Sequence, residues 1–367
     1  MVNTKPLAHF NIPLFLVVLA LDAIGLVNLY SAVHQEGIRS LEPLFMTQVI
    51  FVALGLVGSV LITLVDYRVF EKTAYMLYAG NVILLAGVLL FGREISGSKR
   101  WIHIAGFSFQ PSEPCKLFLV MALAKYFHEH VRVGGYGLRH LVRPGLIALP
   151  SLILIYLSPD LGTTGFLILL FLLVSLCAQL KFRSIILIGI IGLLALPILY
   201  EFGLSDYQRD RIITLIDPTH DPRGKGYQTL QARYAIGAGK MFGSGYMKGM
   251  QTHQGFIPEN QTDFIVTVLA EEWGFVGAMV LLGLYYLFMV LGLRIAVQAR
   301  ERFGALLAAG IVALFFLQIV INLGAVLGLA PVTGVTLPLM SYGGSSILLL
   351  HACVGLLNSI SMRRYMF

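Results

Sequence analysis

Charged residues are scarce in this chain of 367 residues: only 12% are Asp, Glu, Lys or Arg, whereas 57% are hydrophobic. A soluble domain carries about twice that charged fraction, and the mean hydropathy here is +0.82. The apolar residues also come in long blocks rather than at the period of an amphipathic helix or strand, which is typical of helices that face lipid. The composition therefore excludes a soluble globular protein and predicts an all-α, polytopic integral membrane protein.

Several motifs that would indicate other functions are missing. The three cysteines, Cys115, Cys177 and Cys353, lie far apart in apolar segments and form no CxxC pair, so neither a disulfide framework nor a zinc site is indicated. The sequence contains no Walker-type loop, no dinucleotide-binding glycine pattern and no Ser-His-Asp arrangement. No internal repeat is visible, which weighs against a classical transporter. The net charge of +7 belongs to loops that flank the apolar blocks, so it does not indicate nucleic-acid binding.

The apolar blocks predict about ten transmembrane helices of roughly 20 residues each. Their predicted starts lie near Ile12, Leu44, Thr73, Ser112, Pro144, Leu161, Ser184, Phe264, Phe303 and Ser345. The first block is too long for a signal-peptide core and lacks a small-residue cleavage site, so we interpret it as a retained span. Residues 1–367 then form a single membrane domain, with a long extracytoplasmic loop, residues 203–262, between helices seven and eight.

The distribution of Lys and Arg predicts the orientation. Short loops after even-numbered helices are basic, with Arg68 and Lys72 after the second and Lys181 and Arg183 after the sixth. The opposite loops carry few basic residues, except for the loop after the third helix, which contains Arg93, Lys99 and Arg100. By the positive-inside rule, both termini are expected in the cytoplasm and the long loop outside.

The stretch 255–274 contains the most informative polar residue, Asp263, at the point where the long loop becomes strongly apolar. An ionisable carboxyl at the membrane boundary is energetically costly, which favours a functional role. Alternatively, Thr262 or Asp263 caps the helix that follows. This stretch alone leaves the two interpretations balanced. Glu271 and Glu272 lie two turns further along the helix, so at least one of them, with Glu271 as the candidate, can face the same cavity.

A second polar region precedes the fourth helix. Trp101 suits an interfacial anchor, and Ser112 suits a helix start, with Glu113 in the first turn. Lys116 follows on the same helix face, so the two charges can neutralise each other. Alternatively, this region forms a polar wall of an outward-open cavity, where Arg100 and Lys116 hold a pyrophosphate.

Asp160 lies where two apolar blocks meet on the outer side. A carboxyl there can bind a cation, orient Lys116 or Arg100, or cap the sixth helix. In the long loop, consecutive turns are expected over residues 217–227. Residues 227–236 are expected to form a short interfacial helix, with Leu230, Tyr234 and Ala235 against the membrane. The density of glycine and paired charge favours an ordered lid.

Six motifs occur in a fixed order over nearly the whole chain: Arg100–Trp101, and residues 109–116, 159–163, 217–228, 257–274 and 338–346. Together they resemble the shape, elongation, division and sporulation (SEDS) family. The short termini and the form of the long loop are more similar to the elongation member than to the division member. The resemblance implies a ten-helix peptidoglycan glycosyltransferase of the bacterial inner membrane that polymerises lipid II at the outer face. It also implies a class B penicillin-binding protein (transpeptidase) as partner, bound through transmembrane helices, together with other elongation-complex proteins.

The resemblance also implies roles for single residues. By motif position Asp263 is the catalytic aspartate, and Glu113, Lys116 and Asp160 are cavity residues. The matched motifs also include Arg100, Trp101, Gln110 and Glu259, which are further candidates for the cavity. The sequence departs from the family pattern at Gly255, where many members have an acidic residue, and at Gln261, where His is frequent. Neither departure affects Asp263.

The chemistry of chain extension fits these residues. A carboxylate in a partly dry site can take the proton of an acceptor hydroxyl that attacks the anomeric carbon of a lipid pyrophosphate donor. Direct displacement inverts that carbon and releases undecaprenyl pyrophosphate, a good leaving group that needs no acid. Lys116, Arg100 or a divalent cation, Mg²⁺ or Mn²⁺, can neutralise the pyrophosphate. Two alternatives remain open from sequence: a flippase or exporter of the lipid-linked precursor, and a scaffold that recruits a synthase.

Overall fold

The computed structural model describes the chain except for residues 1–8, 35–41, 96–97, 105–106, 199, 202–208, 211–212, 216–224, 258 and 365–367. Within the described part, ten helices contain 16 or more residues. They are α1 (Ile12–Val33), α2 (Glu42–Leu64), α3 (Tyr67–Phe91), α4 (Ser112–Glu129), α5 (Val142–Leu157), α6 (Leu161–Cys177), α7 (Phe182–Ile198), α10 (Ile265–Gln298), α11 (Arg302–Val326) and α12 (Gly344–Met362). Two shorter helices, α8 (Lys225–Ala238) and α9 (Met250–His253), lie in the long loop.

The helix starts agree closely with the hydropathy blocks, with α3 as the largest difference. It begins at Tyr67 rather than near Thr73, because its first turns carry Arg68, Glu71 and Lys72 and so are not apolar. The carboxylate of Asp66 accepts from the backbone N–H of Arg68 at 3.0 Å and caps this polar start.

Seven helical stretches of the described chain are long and apolar enough to cross a membrane, namely α1, α2, α3, α10, α11, α12 and Leu138–Leu157, which contains α5. Helices α6 and α7 are apolar but shorter. Helix α4 carries four charged residues in 18, namely Glu113, Lys116, Lys125 and Glu129, and tolerates them because most of its length is buried among other helices. The protein is therefore an all-α, multi-pass membrane protein, as the composition predicts.

Helix α11 lies near the centre of the bundle and packs against α4, α6, α8, α10 and α12. Its most apolar 18-residue window is 72% buried, against 22% for the window in α2. Helix α12 packs along α2, and its window is 89% buried. An apolar helix enclosed by protein is a core element, whereas α2 leaves one face for lipid.

A small antiparallel sheet precedes α4, in the polar region that contains Trp101. Strands β1 (Arg93–Ile95), β2 (Ser98–Ile104) and β3 (Phe107–Phe109) pair in sequence order. Trp101 pairs with Arg93, and Ile102 pairs with Phe109. Strand β2, which contains Trp101, packs against α3, and β3 leads directly into Gln110.

Helix α10 is interrupted at Gly274, whose φ of 66° and ψ of −161° are not helical. A segment of the long loop, residues 239–245, fills the break. The N–H groups of Phe275 and Val276 donate to the carbonyls of Lys240 and Met241 at 2.9 and 3.1 Å. In the other direction, Ser244 N donates to the carbonyl of Glu271 at 2.9 Å. The loop thus pairs the backbone groups that the break exposes, as buried polar groups require.

Helix α8 confirms the short helix predicted in the long loop, but it packs differently. Ala235 is buried against the protein rather than against lipid, whereas Tyr234 is exposed. The guanidinium of Arg233 donates to the carbonyls of Leu327 and Gly328, each at 3.0 Å, and holds α8 at the end of α11. Most of the turns predicted over residues 217–227 lie outside the described residues.

Candidate active site

A cavity of about 500 Å³ opens where the start of α4, the turn before α10 and the start of α12 meet. Four of the residues predicted for the site line it: Trp101, Gln110, Glu113 and Asp263. The other lining residues come from α2, β3, the turn before α10 and two later segments, namely Thr47, Phe51, Ser108, Thr262, Gly334, Thr336, Tyr342, Gly343, Gly344, Ser345 and Ser346. Hydroxyl and amide groups dominate its polar part, which suits a carbohydrate.

Asp263 lies in a turn just before α10 and is half-buried. The N-cap position of α10 is Phe264, whose side chain makes no cap hydrogen bond. The hydroxyl of Thr262 donates to the carbonyl of Glu259 at 3.2 Å, within the preceding turn. The N-cap position of α10 thus falls one residue after Asp263, and Asp263 lines the cavity.

Glu113 and Lys116 form a buried ion pair. Lys116 Nζ lies 2.5 Å from Glu113 Oε1, and the two side chains are 2% and 11% exposed. The ammonium also lies 5.0 Å from the centre of the Phe166 ring. Glu113 lines the cavity whereas Lys116 does not, and Glu113 Oε2 is buried without a hydrogen-bond partner among the described residues. Lys116 is thus placed to neutralise Glu113 rather than to contact a ligand.

Arg100 and Asp160 lie beside a second cavity of about 290 Å³ with largely apolar walls. Arg100 Nη1 lies 3.5 Å from Asp160 Oδ2, and Nη2 donates to the carbonyl of Pro159 at 2.7 Å. The same carboxylate caps α6, accepting from Thr163 N at 3.0 Å and from Thr163 Oγ1 at 2.9 Å. Of the three roles predicted for Asp160, the structure therefore contains two, capping α6 and orienting Arg100.

Glu259 and Glu271 do not line the cavity. Glu259 is exposed. Glu271 is buried and turned toward the long loop, where Oε1 accepts from Gln251 N at 2.8 Å and Oε2 from Thr252 N at 3.1 Å. These bonds satisfy the first N–H groups of α9. The expectation that Glu271 faces the cavity with Asp263 is not met, because this carboxylate holds the loop instead.

The charge balance of the cavity follows from these pairings. Among the described residues, the lining contains two carboxylates, those of Glu113 and Asp263, and no Lys or Arg. The described chain contains no group of three potential metal ligands. Helix α12 begins at Gly344 in the cavity wall without a side-chain cap, so its first N–H groups supply partial positive charge there.

Several polar residues of the spans form hydrogen bonds with the backbone of other segments. Asn28 and Asn81 donate to the carbonyls of Ile265 and Pro111 at 2.8 and 3.0 Å. Asn322 contacts the backbone of Asp263 itself, at 3.0 Å from the carbonyl. The sequence pattern gives no sign of this contact, because the two residues are 59 positions apart.

Known proteins match this chain over the segments that contain all residues of the site. The sequence profile of the FtsW/RodA/SpoVE family, described as "Cell cycle protein", matches residues 12–366. The chain is 37% identical over 361 residues to the peptidoglycan glycosyltransferase MrdB of Escherichia coli (strain K12), covering 98% of this chain and 95% of that protein.

Two solved structures are similar over nearly their full length. One is a chain from a study of the structural coordination of polymerization and crosslinking by a peptidoglycan synthase complex. It matches with a TM-score of 0.82 and 33% identity, covering 98% of this chain and 99% of that chain. The rod shape determining protein RodA of Thermus thermophilus matches with a TM-score of 0.72 and 32% identity, covering 98% of each chain. Each of these matches covers 98% of this chain.

Proposed function

This chain belongs to the FtsW/RodA/SpoVE family and is a peptidoglycan glycosyltransferase, and from that premise we propose that it polymerises lipid II into glycan strands, with Asp263 as the general base. The observation that carries the proposal is the position of Asp263 in the wall of a cavity of about 500 Å³ with Trp101, Gln110 and Glu113. A sugar-sized space with a half-buried carboxylate is the arrangement that base-assisted glycosyl transfer needs.

The reaction is a single displacement. The Asp263 carboxylate takes the proton of an acceptor-sugar hydroxyl, and the hydroxyl oxygen forms a bond to the anomeric carbon of the donor. The bond between that carbon and the phosphate oxygen breaks, and its electron pair leaves with undecaprenyl pyrophosphate. Attack from the face opposite the leaving group inverts the anomeric carbon, so an α-linked donor gives a β-linked strand.

The pyrophosphate requires positive charge, and the neighbouring cations are already engaged. Arg100 is paired with Asp160, and Lys116 is paired with Glu113. The N-terminus of α12 at Gly344 supplies part of the charge.

We propose a divalent cation, Mg²⁺ or Mn²⁺, for the remainder of the charge. The donor set fits, because two carboxylates line the cavity and Mg²⁺ commonly binds one or two carboxylates together with substrate phosphates and water. Asp263 and Glu113 would hold the ion, which when bound would neutralise phosphate charge.

The same proposal includes topology, partner and cellular role. The cavity faces the outside of the inner membrane and both termini lie in the cytoplasm, as the basic loops indicate. The partner is a class B penicillin-binding protein with transpeptidase activity, together with other elongation-complex proteins. The similarity to a chain of a peptidoglycan synthase complex supports a partner of this kind. Similarity to a rod shape determining protein favours elongation over division.

The test uses purified protein with labelled lipid II, with and without the partner. We expect Asp263→Asn and Asp263→Ala to remain folded and to make no glycan, whereas Glu129→Gln keeps wild-type activity. Glu129 is a matched control, because it is a carboxylate at the opposite end of α4 from the cavity. Normal polymer from Asp263→Ala would refute the assignment.

Further measurements test the remaining parts of the proposal. Product strands should be digestible by a muramidase that cleaves β-linkages. EDTA should stop polymerisation, and Mg²⁺ or Mn²⁺ should restore it; full activity in EDTA excludes the cation. Expression in a strain depleted of its elongation polymerase should restore rod shape, whereas restored septation would assign the chain to division. Translocation of lipid II in proteoliposomes that survives loss of Asp263 would favour the flippase alternative.

A further inference from the structure

The turn that carries Asp263 is fixed by hydrogen bonds from outside its own helix. The carbonyl of Thr262 accepts from Ser341 Oγ at 2.7 Å, and the carbonyl of Asp263 accepts from Asn322 Nδ2 at 3.0 Å. One residue before Thr262, the carbonyl of Gln261 accepts from Tyr342 N at 2.9 Å. Three different donors therefore hold three consecutive peptide groups, which leaves the turn little freedom to rotate.

Asn322 uses both protons of its amide for this purpose. Nδ2 lies 3.0 Å from the carbonyl of Asp263 and 2.9 Å from the carbonyl of Val335. Both partners are acceptors, so the nitrogen must face them and the alternative amide orientation is excluded. A side chain that donates twice from this position links the turn before α10 to the segment that follows α11.

Ser341 has an equally defined orientation. Its oxygen accepts from Leu337 N at 2.9 Å, so its single proton goes to the carbonyl of Thr262. Ser341 and Asn322 are each 2% exposed, and neither lines the 500 Å³ cavity. They touch the backbone of the turn but lie outside the space for substrate.

We propose that Asn322 and Ser341 are positioning residues for the reaction, which hold the Asp263 carboxylate where it can reach the acceptor hydroxyl. The inference rests on the proposed role of Asp263 as the base. Asn322 carries the larger share, because it holds the peptide of Asp263 itself. A displacement of about 1 Å at a catalytic group can cost about 100-fold in rate, and loss of both donors frees the turn for such a movement.

The first experiment separates kcat from KM for lipid II polymerisation. Asn322→Ala should lower kcat by about 100-fold and change KM by less than about threefold, because substrate contacts stay in place. Gln318→Ala is the matched control: Gln318 is a buried amide one turn earlier on α11, and its side chain has no hydrogen-bond partner among the described residues. A wild-type kcat in Asn322→Ala, or an equal loss in both variants, would overturn the inference.

A second experiment asks whether Asn322 acts through Asp263. If it does, combining Asn322→Ala with Asp263→Glu, which keeps a carboxylate but displaces it, should cost less activity than the product of the two single losses, whereas the losses of independent residues would multiply. The two proposals fail separately. An active Asp263→Asn refutes the base, whereas an inactive Asp263→Asn beside an unaffected Asn322→Ala refutes only the positioning role.

Ser341→Ala provides the test if Asn322→Ala does not fold. It removes one hydroxyl and is expected to lower kcat by about tenfold, again with little change in KM. Asn322→Ser, which keeps one donor, should retain more activity than Asn322→Ala. Unchanged kcat in Ser341→Ala, or an effect confined to KM, would contradict the proposal.

Discussion

The ion pair between Glu113 and Lys116 predicts a specific pattern in a double-mutant cycle. At 2.5 Å the gross attraction is about 7 kcal/mol for an effective dielectric constant of about 20. Desolvation of both ions offsets much of it, so the cost of removing one partner, about 3–5 kcal/mol, is the more useful quantity. The two single variants should not be equal, because the two side chains differ in exposure.

Glu113→Gln leaves an ammonium that is only 2% exposed, so its cost should approach about 5 kcal/mol. Lys116→Met leaves a carboxylate that is 11% exposed at a cavity and can be hydrated, so about 3 kcal/mol is expected. The double variant should lie within about 1 kcal/mol of wild type, because no unpaired charge remains. Unfolding by SDS titration in mixed micelles gives the three free energies.

The pair between Lys125 and Glu129 is the control on the same helix. Its charges lie 3.9 Å apart and the Glu129 side chain is 41% exposed, so the same cycle should give a coupling below about 0.5 kcal/mol. Additive single effects at Glu113 and Lys116 would refute mutual neutralisation. A fully stable but inactive Lys116→Met would show instead that Lys116 contacts substrate.

Two further predictions concern stability. His351 Nδ1 lies 3.0 Å from the carbonyl of Ile347, and Nε2 lies 3.1 Å from Asp22 Oδ2. The contact between Nε2 and Oδ2 is a hydrogen bond only if one of these two atoms carries a proton. Asp22→Asn, whose amide can donate to Nε2, should leave thermal stability nearly unchanged, whereas Asp22→Leu should cost about 1–3 kcal/mol; equal losses would contradict this. Gly243 has a φ of 79°, and a Cβ there would lie 2.0 Å from the carbonyl oxygen of Glu272, so Gly243→Ala should lower both Tm and polymerisation. Gly237→Ala, in α8 with open space around it, should not, and a normal Tm in Gly243→Ala would refute the loop insertion.

Much of the fold could be predicted because lipid selects segments by local hydropathy. Helices α4 and α6 begin at Ser112 and Leu161, the residues that the pattern indicated. Hydropathy did not indicate a helix where the helix is not locally apolar, as in the polar first turns of α3. It also gave no sign of the sheet around Trp101, whose strands are stabilised by pairing with each other rather than by apolar runs.

The sequence predicted several of the residues that line the site, but not which side chains pair with each other. Asp263, Glu113, Trp101 and Gln110 were identified from their motifs and do meet in one cavity. The sequence left Asp160 with three roles, and Glu271 was expected beside Asp263. Contacts with Arg100 and with α9 decided these cases, because a buried charge takes the partner that packing brings within hydrogen-bond distance.

Local chemistry along the chain was therefore enough to determine the membrane class, the helices and the presence of a costly carboxylate at the end of the long loop. Tertiary structure alone decided which charges neutralise each other, where α10 breaks, and that Asn322 and Ser341 hold the turn of Asp263. The physical reason is the distance along the chain over which each interaction acts. Hydropathy acts over one helix length, whereas these hydrogen bonds join residues 59 and 79 positions apart, which only packing of the helices brings together.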